Sequence, residues 1–122
     1  MQAVAESHVV ICYVYWYSDD PSPPELRDIS PNVQDVFGYS LREWQTDRHF
    51  WQRLLHPEDA EAAIAATWRT TFDRVPYDTT YRMVTRDSRF VWIHDQADVE
   101  VDDVQKGELW RGTWTVIPEP AE

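Results

Sequence analysis

Apolar and polar positions alternate differently in successive parts of the chain. Val9 to Tyr17 (VVICYVYWY) is β-branched and aromatic throughout, which reads as a buried strand. Asp19 to Pro24 (DDPSPP) interrupts it, and Pro23 and Pro24 cannot continue a ladder. Leu26 to Ile29 gives a short second strand, hairpinned to the first. A helical spacing then sets in. Ser30 can cap a helix and Pro31 suits its first position, where the N–H would have no partner. Val33, Val36 and Phe37 fall on one face, and Gly38 supplies a C-terminal stop. Ser40 with Glu43 spells a capping box for a second short helix. Asp47 to Leu55 reads as an aromatic linking segment.

His56-Pro57-Glu58-Asp59 opens the one long helix, with two acids in its first turn to complement the dipole. Ala60, Ala63, Ile64, Thr67, Trp68, Thr71 and Phe72 recur at three and four residues and form its apolar face. Pro76 closes the segment. Three strands follow, Tyr77 to Thr85, Arg89 to Val101 and Glu108 to Ile117, joined by turns at 86–88 and 102–107. The order β-β-α-α-α-β-β-β, with an antiparallel meander and helices packed on one face, predicts an α+β fold.

Strand parity sorts the middle strand of the meander. Val91, Ile93, Asp95, Ala97, Val99 and Val101 share one face, which should meet the helices. Phe90 and Trp92 lead the other, followed by polar residues. Such an aromatic patch on a helix-free face is covered either by a partner or by the chain's own first residues.

A chain of 122 residues is long enough for one domain with a real core. Its 7 Trp, 6 Tyr and 4 Phe supply much of that core or of an interface. The single cysteine, Cys12, allows no internal disulfide, and in an apolar strand it reads as a small core residue. With no signal peptide and no apolar run of membrane-spanning length, a cytoplasmic setting is expected. The formal charge of −11 argues against nucleic acid and anionic membrane as partners.

Chemistry is sparse. No nucleophile elbow, phosphate loop, metal cluster or catalytic carboxylate pair is present, so no enzymatic activity is expected. His8, His49 and His94 have no ligand partners at metal spacing, and no metal site is expected. Asp95 is the exception. By parity it points among aliphatic residues, where a carboxylate must be bonded to a helix-end N–H, an Arg or a Tyr, unless a bulge turns it outward.

Several segments together resemble the PAS domains of bacterial and archaeal sensory proteins. They are Ile29-Ser30-Pro31, Phe37-Gly38-Tyr39-Ser40 with Trp44, and Leu54-Leu55-His56-Pro57-Glu58-Asp59. Tyr81-Arg82, Arg86-Asp87-Ser88-Arg89 and Val91-Trp92-Ile93 complete the set, in the family's order. The resemblance implies a five-stranded antiparallel sheet with short helices and one longer helix on one face. It divides the chain into a lead-in at 1–9, a PAS-like domain at 10–117 and a tail at 118–122. It also implies a non-catalytic sensory or protein-interaction module that acts by dimerisation or by docking to a kinase, diguanylate cyclase or other signalling output domain. The alternative is a receptor module holding a small organic ligand or cofactor between sheet and helices.

The resemblance points Trp110, Gly112 and Trp114 inward, where two indoles leave little room for a flavin or haem. Some relatives hold haem through a helix histidine, but the position of His56 in the family motif is normally structural, so His56 is expected to cap its helix and no cofactor is expected. The candidate pocket residues are Val36, Phe37, Trp68, Tyr81, Met83, Ile93, Asp95 and Trp114. The candidate interface residues are Phe90, Trp92, Leu109 and Ile117, and a homodimer is the expected assembly. Two departures from the family pattern matter. Ser88 stands where the turn usually has glycine. Pro118 and Pro120 follow the last strand and weigh against relay through a continuous C-terminal helix.

Overall fold

A computed structural model describes residues 9–120. The order is β1 (Val10–Ser18), β2 (Glu25–Ile29), α1 (Val33–Phe37), α2 (Leu41–Thr46), α3 (Phe50–Leu54), α4 (Pro57–Asp73), β3 (Tyr77–Val84), β4 (Phe90–Asp102) and β5 (Gly107–Ile117). The strands form one antiparallel sheet in the order β2-β1-β5-β4-β3. The helices lie on one face, as the fold class requires. The proposed covering of Phe90 and Trp92 by the lead-in falls on residues outside those described.

Alternation along the strands decides what is inside. Ile11, Tyr13 and Tyr15 of β1, Tyr77, Tyr81 and Met83 of β3, Ile93, Asp95 and Ala97 of β4, and Trp110 and Trp114 of β5 are buried. They meet Val33, Phe37, Trp44, Leu54 and Ala63 from the helices in a single core. Two expectations change here. Strand β1 is half-buried rather than buried throughout, because its even positions face outward. Cys12 is one of these, so it is exposed on the outer face rather than packed in the core.

The helix starts are also rearranged. Ser30 does not cap α1, which begins at Val33 after Asn32 with no side-chain cap. The Ser30 hydroxyl instead accepts from the Cys12 N–H at 2.9 Å, and Asn32 Nδ2 donates to the Val10 carbonyl at 2.9 Å. Both side chains thus fasten the helix entry to β1. Gly38 ends α1 at φ +84° with its N–H on the Gln34 carbonyl, and the Ser40–Glu43 capping box is present in both directions. The segment from Asp47 to Leu55 contains a short helix, α3, that aromatic composition alone did not reveal.

Helix α4 is held most firmly at its N-terminal end. His56 caps it, its Nδ1 accepting from the Glu58 N–H at 3.1 Å. Asp59 accepts from the Arg82 backbone N–H and from its Nε, each at 2.8 Å, tying the first turn to β3. That bonding, led by the Arg82 side chain, holds the Asp59 carboxyl below its ordinary range. The opposite end is different. The predicted apolar face is only partly buried, since Ala63 is enclosed while Trp68 and Phe72 are 58% and 73% exposed. No helix among the described residues is long and apolar enough to cross a membrane.

Candidate functional site: a cleft beside a buried carboxylate

The centre of the inner face is organised by Asp95, which is 3% exposed. Its Oδ1 accepts from the Tyr13 hydroxyl at 2.5 Å. Its Oδ2 accepts from the Tyr81 hydroxyl at 2.5 Å and from Trp114 Nε1 at 3.0 Å. Trp51 Nε1 of α3 donates in turn to the Tyr81 hydroxyl at 2.8 Å. One carboxylate therefore gathers donors from β1, β3 and β5. Among the described residues no Arg, Lys or His forms an ion pair with it. Burial pushes its pKa up to about 6, with the three neutral donors pulling the other way. The Tyr13 and Tyr81 hydroxyls are raised well above the usual phenol value, first by burial and then by the nearby Asp95 charge.

The geometry depends on Gly112. A β-carbon there would meet Cζ of Tyr13 at 2.5 Å and the Gln96 carbonyl at 2.6 Å. The missing side chain lets the Tyr13 ring cross β5 toward Asp95.

Beside this network is a void of about 20 Å³, room for about one water. It is bounded by Asp95 together with Tyr13, Tyr77, Trp110 and Trp114, and by Tyr15, Tyr17, Trp51 and Thr67. The last four residues also wall a much larger cleft of about 630 Å³. Its far wall is the exposed half of α4, namely Ile64, Thr67, Trp68, Thr71 and Phe72. These positions share one helical face, so the apolar stripe read from the sequence lines a cleft instead of filling a core. The β1–β2 loop and α3 close the sides, and Glu108 at the start of β5 contributes a carboxylate.

Of the residues anticipated for a pocket, Asp95 and Trp114 border the small void and Trp68 the cleft. Phe37, Tyr81, Met83 and Ile93 are core residues, and Val36 packs against that core. Tyr15, Tyr17, Trp51, Thr71 and Glu108 were not anticipated. The even spacing of tyrosines at 13, 15 and 17 in β1 was the available signal for three inward phenols, and it was obscured by reading the strand as buried on both faces. His56 acts as a helix cap, and among the described residues no group of three or more His, Cys, Asp or Glu converges as a metal site would require.

The anticipated interface residues all lie on the outer face but not in one patch. Trp92 pairs with Ile117, and Phe90 lies near them, 58% exposed with the His56 ring 4.7 Å away. The Arg82 guanidinium sits over the Trp92 ring at 5.2 Å. Leu109 pairs with Glu100 and Trp16 at the other end of the strands. Eight residues along β5 separate it from Ile117, or roughly 27 Å.

Several proteins share this architecture. The N-terminal domain of a diguanylate cyclase with PAS/PAC sensor from Marinobacter aquaeolei superposes with a TM-score of 0.72 at 23% identity, over 87% of this chain and 93% of that one. A sensory box histidine kinase/response regulator from Burkholderia thailandensis gives 0.62 at 21% identity, over 87% and 76%. A PAS domain from Colwellia psychrerythraea gives 0.63 at 15% identity, over 84% and 83%. A search of curated proteins by sequence returns no match. The sequence model described as PAS fold matches residues 27–114, from β2 to Trp114 beneath Asp95. With that match spanning most of the chain and the sheet order and helices in agreement, the chain belongs to the PAS family.

Proposed function

We propose that this PAS domain is a non-catalytic receptor module of a signalling protein, whose input is a small organic molecule bound in the α4 cleft. The observation that carries the reading is the cleft itself. Its volume of about 630 Å³ falls within the range of small-molecule sites, and its walls are aromatic with a few placed polar groups. It also shares Tyr15, Tyr17, Trp51 and Thr67 with the void beside Asp95. Of these, Trp51 bonds Tyr81, a donor to Asp95, so an occupant would press on a side chain of that network.

Thermal-shift screening against small organic metabolites tests this, with Thr67→Trp as a variant that fills the cleft. Compounds should raise the Tm of the wild type and leave Thr67→Trp unmoved. If no compound stabilises the wild type selectively, the receptor reading fails.

A second reading concerns output. Phe90, Trp92 and Ile117 form an apolar patch on the outer face, which supports homodimerisation or docking to a kinase- or cyclase-type output domain there. Leu109 lies too far away to belong to the same contact. Sedimentation across concentration and salt measures self-association. With a net charge of −11, a dimer should tighten as salt screens repulsion.

A further inference from the structure

Resting on the receptor reading above, we infer that the cleft selects an organic cation, either a substituted ammonium or a protonated aromatic nitrogen base. Its walls carry the rings of Tyr15, Tyr17, Trp51, Trp68 and Phe72, and an aromatic ring attracts a cation placed over its face. Tyr17 is stacked with Trp110 at 4.8 Å, and Trp68 with Phe72 at 5.9 Å on the opposite wall.

The carboxylate in this wall is unbalanced. Glu108 is 8% exposed, and its Oε1 accepts from Thr71 Oγ1 at 3.0 Å and from Trp110 Nε1 at 3.2 Å. Both donors are neutral. Among the described residues no hydrogen bond or ion pair reaches its Oε2. Oε2 is not sealed from solvent and Glu108 lines the cleft, so a bound cation would exchange water there for a charge-assisted contact.

The remaining charges agree. Asp19 and Asp20 stand at the mouth. The one arginine of the lining, Arg48, points its guanidinium at the carbonyls of Pro23 at 2.5 Å and Pro24 at 3.3 Å, where it ties down the β1–β2 loop. An anionic ligand would thus meet carboxylates and aromatic rings with Arg48 already engaged. The formal charge of −11 draws cations toward the molecule and repels anions.

Three aromatic probes, two of them isosteres, separate the possibilities. They are benzyltrimethylammonium, its neutral isostere neopentylbenzene, and benzoate. Binding to the 122-residue protein is read by calorimetry and by the indole N–H signals of Trp51, Trp68 and Trp110. The cation should bind about tenfold more tightly than the isostere, and Glu108→Gln should remove most of that difference. Trp68→Ala, at an exposed position on which the fold does not depend, should weaken the cation severalfold more than the isostere. Equal affinity for cation and isostere, tighter binding of benzoate, or a preference unmoved by both substitutions would overturn the inference and leave the receptor reading standing. If no probe shifts the three indole signals, the inference falls, and the thermal-shift screen decides the receptor reading separately.

Discussion

Gly112 lies beneath the ring of Tyr13, so close that a β-carbon at 112 would stand 2.5 Å from Cζ of the phenol. Gly112→Ala should therefore cost roughly 1–3 kcal/mol, the usual range for overpacking a tight interior. The Tyr13–Asp95 bond should be displaced as well. Urea unfolding measures the first effect and the phenol hydroxyl resonance of Tyr13 the second. A change below about 0.5 kcal/mol, within the range of ordinary surface substitutions, would mean that the ring does not cross β5 at this point.

Asp95 makes stability depend on pH in an unusual direction. Its folded pKa of about 6 exceeds that of an unfolded aspartate, so the folded state holds a proton that the unfolded state has released. The associated stability is complete below about pH 4 and is lost as pH rises through 6, amounting to about 3 kcal/mol. Asp59 works oppositely. Its lowered pKa gives stability that is present above the unfolded value and lost as pH falls. Asp95→Asn should flatten the profile between about pH 4 and 6 and leave the acid limb unchanged. Parallel profiles for wild type and variant would rule out this role for Asp95.

Trp114 is 1% exposed and touches Tyr13, Phe37 and Trp44 through its ring and Asp95 through its N–H. Trp114→Ala should cost roughly 3–5 kcal/mol by denaturation. Trp114→Phe, which keeps most of the volume, should still lose the bond to Oδ2 and move the titration of Asp95 upward, an effect that NMR of the carboxyl carbon would follow. An unmoved titration would remove Trp114 from the network.

At the β3–β4 turn Ser88 adopts φ +67°, so the left-handed requirement persists at this position although the residue is not glycine. The turn keeps its geometry because Thr85 Oγ1 accepts from the Arg89 N–H at 3.0 Å and the Ser88 N–H donates to the Thr85 carbonyl at 3.0 Å. Left-handed backbone costs a side chain roughly 1 kcal/mol, so Ser88→Gly should stabilise by up to about that amount, less the entropy that glycine adds to the unfolded chain. Destabilisation beyond about 0.5 kcal/mol in thermal unfolding would count against strain at this residue.

The elements that were legible in the sequence are those whose signal is local. Gly38, the Ser40–Glu43 box and His56-Pro57 mark helix ends through one or two side chains, and each is where it was expected. Alternation in β4 placed Asp95 inside, and Tyr was among its anticipated partners. What could not be read depends on distance. Ser30 has a capping residue's chemistry, but β1 offers its hydroxyl a partner that only the folded chain brings near. Trp68 and Phe72 lie on the correct helical face, yet whether that face meets a sheet or a cleft depends on contacts distant in sequence, such as Asp59–Arg82 and Thr71–Glu108. Gly112 carries no mark of the ring it accommodates, because Tyr13 is almost a hundred residues earlier in the chain.

In a pleated strand consecutive side chains leave on opposite sides, so the carboxylate of Asp95 faces the helices while His94 and Gln96 face the opposite surface. The sheet is thus a membrane one peptide thick between two compartments of the same molecule. On one side are the tyrosines that border the cleft, and on the other is the ladder row running from Thr80 through His94 to Thr115. A shift of the β4 backbone at Asp95 is also felt at His94, the next residue of the same strand. The cleft side and the outer surface are thus separated by the thickness of one strand.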